Sequence, residues 1–438
     1  MQKLLIANRG EIALRVIRTC KEMGIATVAP YARVDKDLLH LRYADETICI
    51  SEVDYLNRES LITAALVSDC EMVHPGYGFL SEDSMFCRMV EQNDLKFIGP
   101  TEDQIASMGN KANARAKLNT LGLQSVPGSC DAVSNLQDAL NIAREVGFPV
   151  LIKAAFGGGG RGIRVVEDES SCTVAFAEAQ SEASSVFGDN TVYIEKFLDN
   201  ARHIEVQVLG DGHGGAIHLG TRECSIQRRQ QKVIEEAPAP NVPQQLLDNL
   251  CDLAVSAVRK MKYRNAGTLE FLYQDGEFYF LEMNTRIQVE HAISEMISGV
   301  DIVRLQIETA ILDRLTLTQA DVIFSGCAME CRLNAEDDEY RPCPGVVANI
   351  NFPAGPGVRV DSHLYNGYRI PHQFDSLIAK LVALDTDRDR TVQKMRRMMD
   401  ELSIEGVDTN RNNLIQVISS DQFRNGDVHT GFLDQLKR

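Results

Sequence analysis

Two apolar segments with acidic residues flank Gln274-Asp275-Gly276. Residues 268–273 and 277–283 are rich in Leu, Phe, Tyr and Thr, so they predict the two strands of a β-hairpin. A two-residue turn at the Asp-Gly pair would place Glu270 and Glu282 on opposite faces of the hairpin. A three-residue loop with the glycine in the left-handed conformation would place both carboxylates on one face, and we expect that loop.

The side chains that follow on the second strand have the types needed for metal and anion binding. Glu282 and Asn284 project from one face, and in an extended chain Arg286, Gln288 and Glu290 would follow on that side. Two carboxylates and an amide oxygen near one point form a site for Mg²⁺ or Mn²⁺. Arg286 can pair with an anion and Glu290 can act as a base. The alternative is the solvated face of an amphipathic edge strand, which the density of Phe and Leu disfavours.

A lysine and a glycine run predict a phosphate-binding segment earlier in the chain. Residues 149–153 form an apolar strand that ends on Lys153, and residues 157–160 are four consecutive glycines. A buried lysine needs an anionic partner, and glycine backbone N–H groups can close over phosphate oxygens. GxxxxGK[ST] is absent here, so this segment is not a P-loop. We expect a mobile phosphate lid; the alternative is a flexible hairpin.

Three further polar stretches lie between the glycine run and the hairpin. Residues 192–198 predict a strand that ends at a polar corner, where backbone groups and Lys196 could contact an adenine. His203 begins an alternating strand with Glu205 and Gln207 on its own face, and a lone histidine of this kind is more often structural. Residues Arg222 to Lys232 form a basic cluster, and such a cluster is by default a run of solvated surface charges. Its position just before the hairpin favours an oxyanion site instead.

The elements that must position these residues begin with an alternation of strands and helices over residues 1–100. This pattern predicts a Rossmann-like domain with a parallel sheet. The first βα turn, Asn8-Arg9-Gly10-Glu11, lacks GxGxxG, so we do not expect a dinucleotide there. The loop His74 to Glu82 either lines a cleft or serves only as a turn. Residues 101–125 predict helical structure.

Composition excludes several classes of function. The 438 residues carry a formal charge of −17, which disfavours binding to nucleic acid or to an anionic membrane surface. The 11 cysteines are scattered without a CxxC pair, as expected for reduced thiols. The absence of an apolar leader or of a run of about 18 apolar residues predicts a cytoplasmic protein.

Taken together, these stretches resemble the biotin carboxylase family of ATP-grasp enzymes. The resemblance covers nearly the whole chain and rests on NRGEIA (8–13), HPGYGFLSE (74–82), IKAAFGGGGRG (152–162), EKFL (195–198), QRRQQKVIEEAPAP (227–240), EFYFLEMNTRIQVEH (277–291), ECRLNAED (330–337) and the segment at Asp375. It implies an α/β and α+β fold. Its domains would be a Rossmann-like N-terminal domain (1–100), a helical linker (101–125), an ATP-grasp lid with the glycine-rich loop (126–198), and an ATP-grasp core with a biotin carboxylase C-terminal domain (199–438).

The resemblance implies that MgATP activates bicarbonate as carboxyphosphate, which yields CO₂ for N1 of biotin on a carrier protein. The metal ligands, for Mg²⁺ or Mn²⁺, would be Glu270, Glu282 and Asn284. The ATP-binding residues would be Lys111, Lys153, Gly159, Gly160, Glu195, Lys196, Phe197, Leu198, His203 and Gln230. The bicarbonate-binding residues would be Lys232, Arg286, Gln288, Val289 and Arg332. Glu290 would take the proton of bicarbonate, and Arg332 would also bind biotin and stabilise its ureido oxygen. The catalytic set is thus Lys232, Arg286, Glu290 and Arg332.

Three residues depart from the family pattern: Phe156 in the glycine-rich lid, Gln230 in place of a histidine, and Ala292 in place of a proline. Gln230 can donate a hydrogen bond to phosphate but cannot carry charge. The chain has no Ala-Met-Lys-Met attachment site for biotin. The resemblance therefore implies a homodimeric subunit of a bacterial-type acetyl-CoA carboxylase, with a separate biotin carboxyl carrier protein and carboxyltransferase subunits.

Two alternatives remain open at this stage. The first is the biotin carboxylase subunit of a pyruvate, propionyl-CoA or urea-type carboxylase. The second is a noncatalytic nucleotide-binding relative that has lost turnover through Phe156 and Gln230.

Overall fold

The computed structural model describes residues 2–129, 132–154, 163–187 and 190–436, and its architecture is mixed α/β, as predicted. The N-terminal unit is a five-stranded parallel sheet in the order β3-β2-β1-β4-β5, flanked by helices. Its elements are β1 (Lys3–Ile6), α1 (Gly10–Glu22), β2 (Ala26–Ala32), β3 (Glu46–Ser51), α2 (Arg58–Val67), β4 (Met72–His74), α3 (Ser84–Gln92) and β5 (Lys96–Phe97). Leu4, Leu5 and Ile6 are fully buried, as expected for a central parallel strand covered on both faces.

The helical stretch predicted for residues 101–125 consists of two helices, α4 (Glu102–Gly109) and α5 (Lys111–Thr120). The break falls at Asn110, whose side chain accepts a hydrogen bond from the Asn113 N–H at 3.0 Å and so caps α5. Asparagine competes for backbone hydrogen bonds within a helix, which explains why the helical structure is divided at this residue.

A smaller unit follows, with an antiparallel three-stranded sheet in the order β7-β6-β8. Its elements are α6 (Leu136–Val146), β6 (Val150–Ala154), β7 (Ile163–Val166), α7 (Glu169–Phe187) and β8 (Val192–Lys196). Its buried apolar residues, among them Val150, Ile152 and Ile194, form a cluster drawn only from residues 133–194. Phe156, Gly159 and Gly160 lie outside the described residues.

The centre of the molecule is an eight-stranded sheet in the order β13-β12-β9-β10-β11-β14-β17-β16, and β15 pairs separately with β18. The remaining elements are β9 (Arg202–Asp211), β10 (Ala216–Arg228), β11 (Gln231–Ala237), α8 (Gln244–Lys260), β12 (Arg264–Gln274), β13 (Glu277–Asn284), α9 (His291–Ser298), α10 (Ile302–Leu312), β14 (Cys327–Asn334), β15 (Asn349–Asn351), β16 (Val358–Ser362), β17 (Leu377–Asp385), α11 (Arg388–Glu401), β18 (Ser403–Glu405), α12 (Arg411–Ser419), α13 (Asp421–Arg424) and α14 (Phe432–Leu436). The sheet continues from the strands of residues 202–284 into the C-terminal third of the chain, so it brings distant segments to one surface.

The predicted hairpin exists as β12 and β13, but the prediction of a three-residue loop was wrong. Gln274 pairs with Glu277, and the two residues between them have positive φ, 53° at Asp275 and 87° at Gly276. This is the turn preferred for an Asp-Gly pair. Glu270 and Glu282 nevertheless pair across the strands.

A β-bulge in β13 restores the shared face of these two carboxylates. The register shifts after the pair Phe271 and Phe280, and Leu281 is the extra residue that the shift leaves over. An uninterrupted ladder from the two-residue turn would have placed Leu281 opposite Glu270.

The chain does not stay extended through residue 290, so the condition under which Arg286, Gln288 and Glu290 would follow on the same side is not met. The strand ends at Asn284, residues 285–290 form an irregular loop, and α9 begins at His291.

All ten described cysteines are free thiols. Among the described helices, none combines the length and the apolar character required to cross a bilayer.

Candidate active site

The site centres on the ammonium group of Lys232 in β11. Lys232 Nζ donates to Glu205 Oε2 at 2.6 Å, to Glu290 Oε1 at 2.7 Å and to Glu270 Oε1 at 2.8 Å. The three carboxylates come from β9, the N-terminus of α9 and β12, and each is at most 4% exposed. Burial opposes the charge of Lys232, but these carboxylates outweigh it and raise the pKa of the lysine well above its usual value.

Glu290 is held by two cations, one at each carboxylate oxygen. Its Oε2 accepts from the Arg332 guanidinium at 2.9 Å, while Oε1 accepts from Lys232. Burial disfavours the carboxylate, but the neighbouring cations, Lys232 first, lower its pKa below the usual value for glutamate. The sequence-predicted base therefore lies at the centre of the site in its ionised form.

Arg332 lies between Glu290 and a second buried glutamate. Its Nε donates to Glu235 Oε1 at 2.6 Å. Glu235 is fully buried, its Oε2 accepts no hydrogen bond among the described residues, and its Cα partner across the strands is Glu330. Burial raises the pKa of Glu235 to about 7, although Arg332 acts in the opposite direction.

The three predicted metal ligands lie at the neighbouring end of the hairpin. Glu270 and Glu282 are cross-strand partners, and Asn284 Nδ2 donates to Glu270 Oε1 at 2.8 Å. His203, one of the predicted ATP-binding residues, also contacts this group, since its Nε2 lies 3.0 Å from Glu270 Oε2. Burial opposes the charge of Glu270, but Lys232 and His203 bring its pKa well below the usual value. A buried, ionised carboxylate with a second carboxylate and an amide beside it is a donor set that fits Mg²⁺ or Mn²⁺.

The loop 285–290 carries the predicted anion-binding residues. Arg286 donates through Nε to Glu82 Oε2 at 3.0 Å and through a terminal nitrogen to Asn284 Oδ1 at 2.9 Å. Gln288 Nε2 donates to Glu270 Oε1 at 2.7 Å. Val289 follows directly and is partly buried. The structure thus brings Lys232, Arg286, Gln288, Val289, Glu290 and Arg332 around one region, together with Glu270 and Asn284.

Glu205, Glu82 and Arg115 escaped the sequence analysis as functional candidates, and Arg222 appeared there only as the first residue of a basic cluster. Arg222 is fully buried and donates to Glu205 Oε1 at 2.6 Å, and its contact with Gln288 Oε1 connects it to the loop. Glu82 orients Arg286, and Arg115 pairs with Glu195. The available signals were weak: Glu205 was recognised only as a residue on the same strand face as His203, and Glu82 only as part of a turn.

The residues predicted around adenine lie on the smaller unit. Glu195 is buried between Lys153 and Arg115, and although burial opposes its charge these two cations lower its pKa to about 2. Lys196 Nζ donates to the carbonyl oxygens of Gly147 and Phe148 at 2.9 and 3.0 Å. Phe197 and Leu198 follow and are partly buried, and Lys111 is the first residue of α5.

Gln230 lies in the exposed turn between β10 and β11, where it and Arg229 have positive φ values of 64° and 49°. Ala292 is fully buried in α9. Small, apolar alanine fits that packed position without leaving a polar group unpaired.

Three family models together match most of the chain. Residues 1–105 match the biotin carboxylase N-terminal domain, residues 110–318 the ATP-binding domain of the carbamoyl-phosphate synthase L chain, and residues 330–435 the biotin carboxylase C-terminal domain.

Similar proteins and structures agree with this assignment. The biotin carboxylase of Pseudomonas aeruginosa is 48% identical over 99% of this chain and 98% of its own length. The structure of a biotin carboxylase complex with β,γ-ATP from Campylobacter jejuni has a TM-score of 0.96 and 43% identity, covering 99% of this chain and 98% of its own. The biotin carboxylase domain dimer of Hydrogenobacter thermophilus 2-oxoglutarate carboxylase, solved with MgADP, ADP and bicarbonate, has a TM-score of 0.95 and 43% identity, covering 99% of this chain and 97% of its own. The chain belongs to the biotin carboxylase family.

Proposed function

We propose that this protein uses ATP and bicarbonate to carboxylate biotin on a separate biotin carboxyl carrier protein. The reaction would be the first half-reaction of acetyl-CoA carboxylase, in the cytoplasm. The observation that carries the proposal is Glu290, a buried carboxylate held by Lys232 at one oxygen and by Arg332 at the other. Family membership and the convergence of anion-binding groups around this base support it.

The two cations explain how a carboxylate of low pKa becomes a base. Bicarbonate bound by Lys232, Arg286, Gln288, Val289 and Arg332 would compete with Glu290 for its cationic partners. Each partner that turns to the substrate raises the pKa of Glu290 toward the value that proton transfer needs. Glu290 then takes the proton of bicarbonate, and the freed oxygen attacks the γ-phosphate of ATP to give carboxyphosphate and ADP.

The second part of the reaction uses the same groups. Carboxyphosphate releases CO₂ and phosphate, the released phosphate takes the proton from N1 of biotin, and N1 attacks the CO₂ carbon. Arg332 would stabilise the negative charge on the ureido oxygen of biotin. Its pKa lies above the ordinary value because burial is outweighed by Glu235 and Glu290, so it keeps its charge throughout.

ATP would lie between the small unit and the central sheet. We assign its contacts to Lys111, Lys153, Gly159, Gly160, Glu195, Lys196, Phe197, Leu198, His203 and Gln230. Glu270, Glu282 and Asn284 would hold Mg²⁺ or Mn²⁺, which supplies positive charge to the phosphates of ATP.

The direct test is an assay of carboxybiotin formed from ATP, Mg²⁺, bicarbonate and free biotin. We expect ATP hydrolysis that depends on bicarbonate and is stimulated by biotin. If the protein binds ATP but shows no such hydrolysis, it would instead be a noncatalytic nucleotide-binding relative that has lost turnover through Phe156 and Gln230.

Substituting the base provides the residue-specific test. Glu290→Gln keeps the shape of the side chain but removes its basicity, so bicarbonate-dependent hydrolysis should fall by about 100-fold or more while ATP binding persists. Glu236→Gln is the matched control, because Glu236 is also a buried glutamate paired with an arginine, Arg388, but lies outside the cluster. Wild-type turnover in Glu290→Gln would refute its assignment as the base.

The acceptor pathway is the least constrained part of the proposal. The similarity to a domain of 2-oxoglutarate carboxylase favours a second candidate, the biotin carboxylase subunit of another biotin-dependent carboxylase. Identifying the biotinylated protein and the carboxyltransferase subunits that co-purify from the native source would separate the two. We also propose a homodimer, for which light scattering should give about twice the mass of one chain.

A further inference from the structure

Lys380 of β17 is a buried lysine that the reaction described above does not use. Its side chain is fully buried, and its Nζ donates to the main-chain carbonyl oxygen of Val289 at 2.7 Å. The same nitrogen lies 3.3 Å from Glu11 Oε1 and 3.8 Å from Asp361 Oδ2. A buried ammonium group is costly unless it is paired, so this arrangement needs all three partners.

The contact between Lys380 and the Val289 carbonyl matters because of where Val289 lies in the chain. Val289 lies between Gln288 and Glu290 in the irregular loop 285–290, where no strand ladder fixes the backbone. The neighbouring carbonyl of Gln288 is in contact with His291 Nδ1 at 2.7 Å. Two buried side chains thus hold consecutive carbonyl groups immediately before the base.

Two sequence motifs without an assigned function meet at the same point. Glu11 belongs to the motif NRGEIA and lies in the first turn of α1, and its Oε1 also accepts a hydrogen bond from the Tyr77 hydroxyl in the loop after β4. Lys380 joins this pair from the C-terminal third of the chain. Three separate segments therefore support the backbone behind Val289.

We infer that Lys380 is a positioning residue that fixes the loop 285–290 through the Val289 carbonyl and so aims Gln288 at Glu270 and Glu290 at Lys232. The inference rests on the proposed function, since it assigns Lys380 to the bicarbonate step. It predicts that removing the lysine impairs the use of bicarbonate more than the binding of ATP.

The first test compares Lys380→Met with Lys394→Met. Lys394 is a matched control because its Nζ also donates to a backbone carbonyl, that of Leu384 at 2.6 Å, and lies 2.9 Å from Asp385, outside the site. In Lys380→Met we expect the KM for bicarbonate to rise and kcat to fall, with kcat/KM lower by about 100-fold. The Kd for ATP should change by less than about twofold, and Lys394→Met should keep wild-type kinetics. Wild-type bicarbonate kinetics in Lys380→Met would overturn the inference.

A double variant separates positioning from charge balance. Lys380→Met alone leaves Glu11 without its cation, whereas Lys380→Met combined with Glu11→Gln removes one buried charge of each sign and should recover much of any loss in Tm. The defect in bicarbonate kinetics should remain, because the Val289 carbonyl still lacks its donor. Full recovery of the kinetics in the double variant would show that Lys380 acts only as a counter-ion. If the wild-type protein itself shows no bicarbonate-dependent hydrolysis, the proposed function fails instead.

Discussion

At the scale of single residues, the site consists of buried cations that are paired with buried carboxylates. Lys232 and Arg332 are partnered by carboxylates in this structure, and Arg222 holds Glu205 in place from behind. In the proposed reaction, an anionic substrate would gain their contacts as Glu290 gives them up. Binding of the substrate and activation of the base would then be one event, which would allow a carboxylate with a lowered pKa to act as the base.

Glu235 should make part of the stability depend on pH. Its pKa is raised to about 7 in the folded chain, so between pH 4.5 and 7 the unfolded chain loses a proton that the folded chain keeps. Stability must fall as the pH rises through this window, by up to ~3 kcal/mol from this group. Glu235→Gln removes that contribution, so the Tm of wild type relative to the variant should decline from pH 4.5 to 7. Parallel Tm profiles for the two proteins would contradict the assignment.

At the scale of elements, the hairpin of β12 and β13 depends on its turn. Gly276 has a φ of 87°, and an added Cβ would meet nothing within 4 Å, so substitution there tests backbone conformation alone. Gly276→Ala should cost about 1 kcal/mol and lower the Tm. Gly109→Ala is the control, because Gly109 lies at the end of α4 with ordinary φ and equally open surroundings, and it should leave the Tm unchanged or slightly higher. Equal losses in both variants would argue against a conformational cause.

The same elements show how far sequence reasoning reaches. The alternation of residue types and the Asp-Gly pair predicted the hairpin correctly. The shared face of Glu270 and Glu282 was also predicted correctly, but from a three-residue loop that the structure does not contain. A bulge depends on how β13 packs against its neighbours, and periodicity contains no information about it. The contacts of Arg222 and Lys380 join segments far apart in the chain, and only the folded sheet brings them together.

At the scale of the whole molecule, the apolar core is divided unevenly. Residues 133–194 have a core of their own, whereas the N-terminal unit shares a cluster with the central sheet, and Ile287 of the site loop is part of that cluster. The resemblance to a family predicted the order of these units, because the motifs follow one another in the chain. The domain boundaries at residues 100, 125 and 198 remain a prediction.

Hydrogen exchange should reveal this division. Ile152→Ala creates a cavity in the small unit and should speed exchange within residues 132–196 only. Ile287→Ala removes similar volume from the shared cluster, at a cost of about 2–5 kcal/mol, and should speed exchange in β1, β4 and β9 together. Faster exchange across the whole chain in Ile152→Ala would show that the small unit is not independent.

The extra residue in β13 has a practical consequence for protein engineering. Phe278 and Phe280 face the apolar interior before Leu281, but Met283 does so after it, while Glu282 and Asn284 face the site. A combinatorial library that randomised every second position of this strand would therefore diversify the interior on one side of Leu281 and the catalytic cavity on the other.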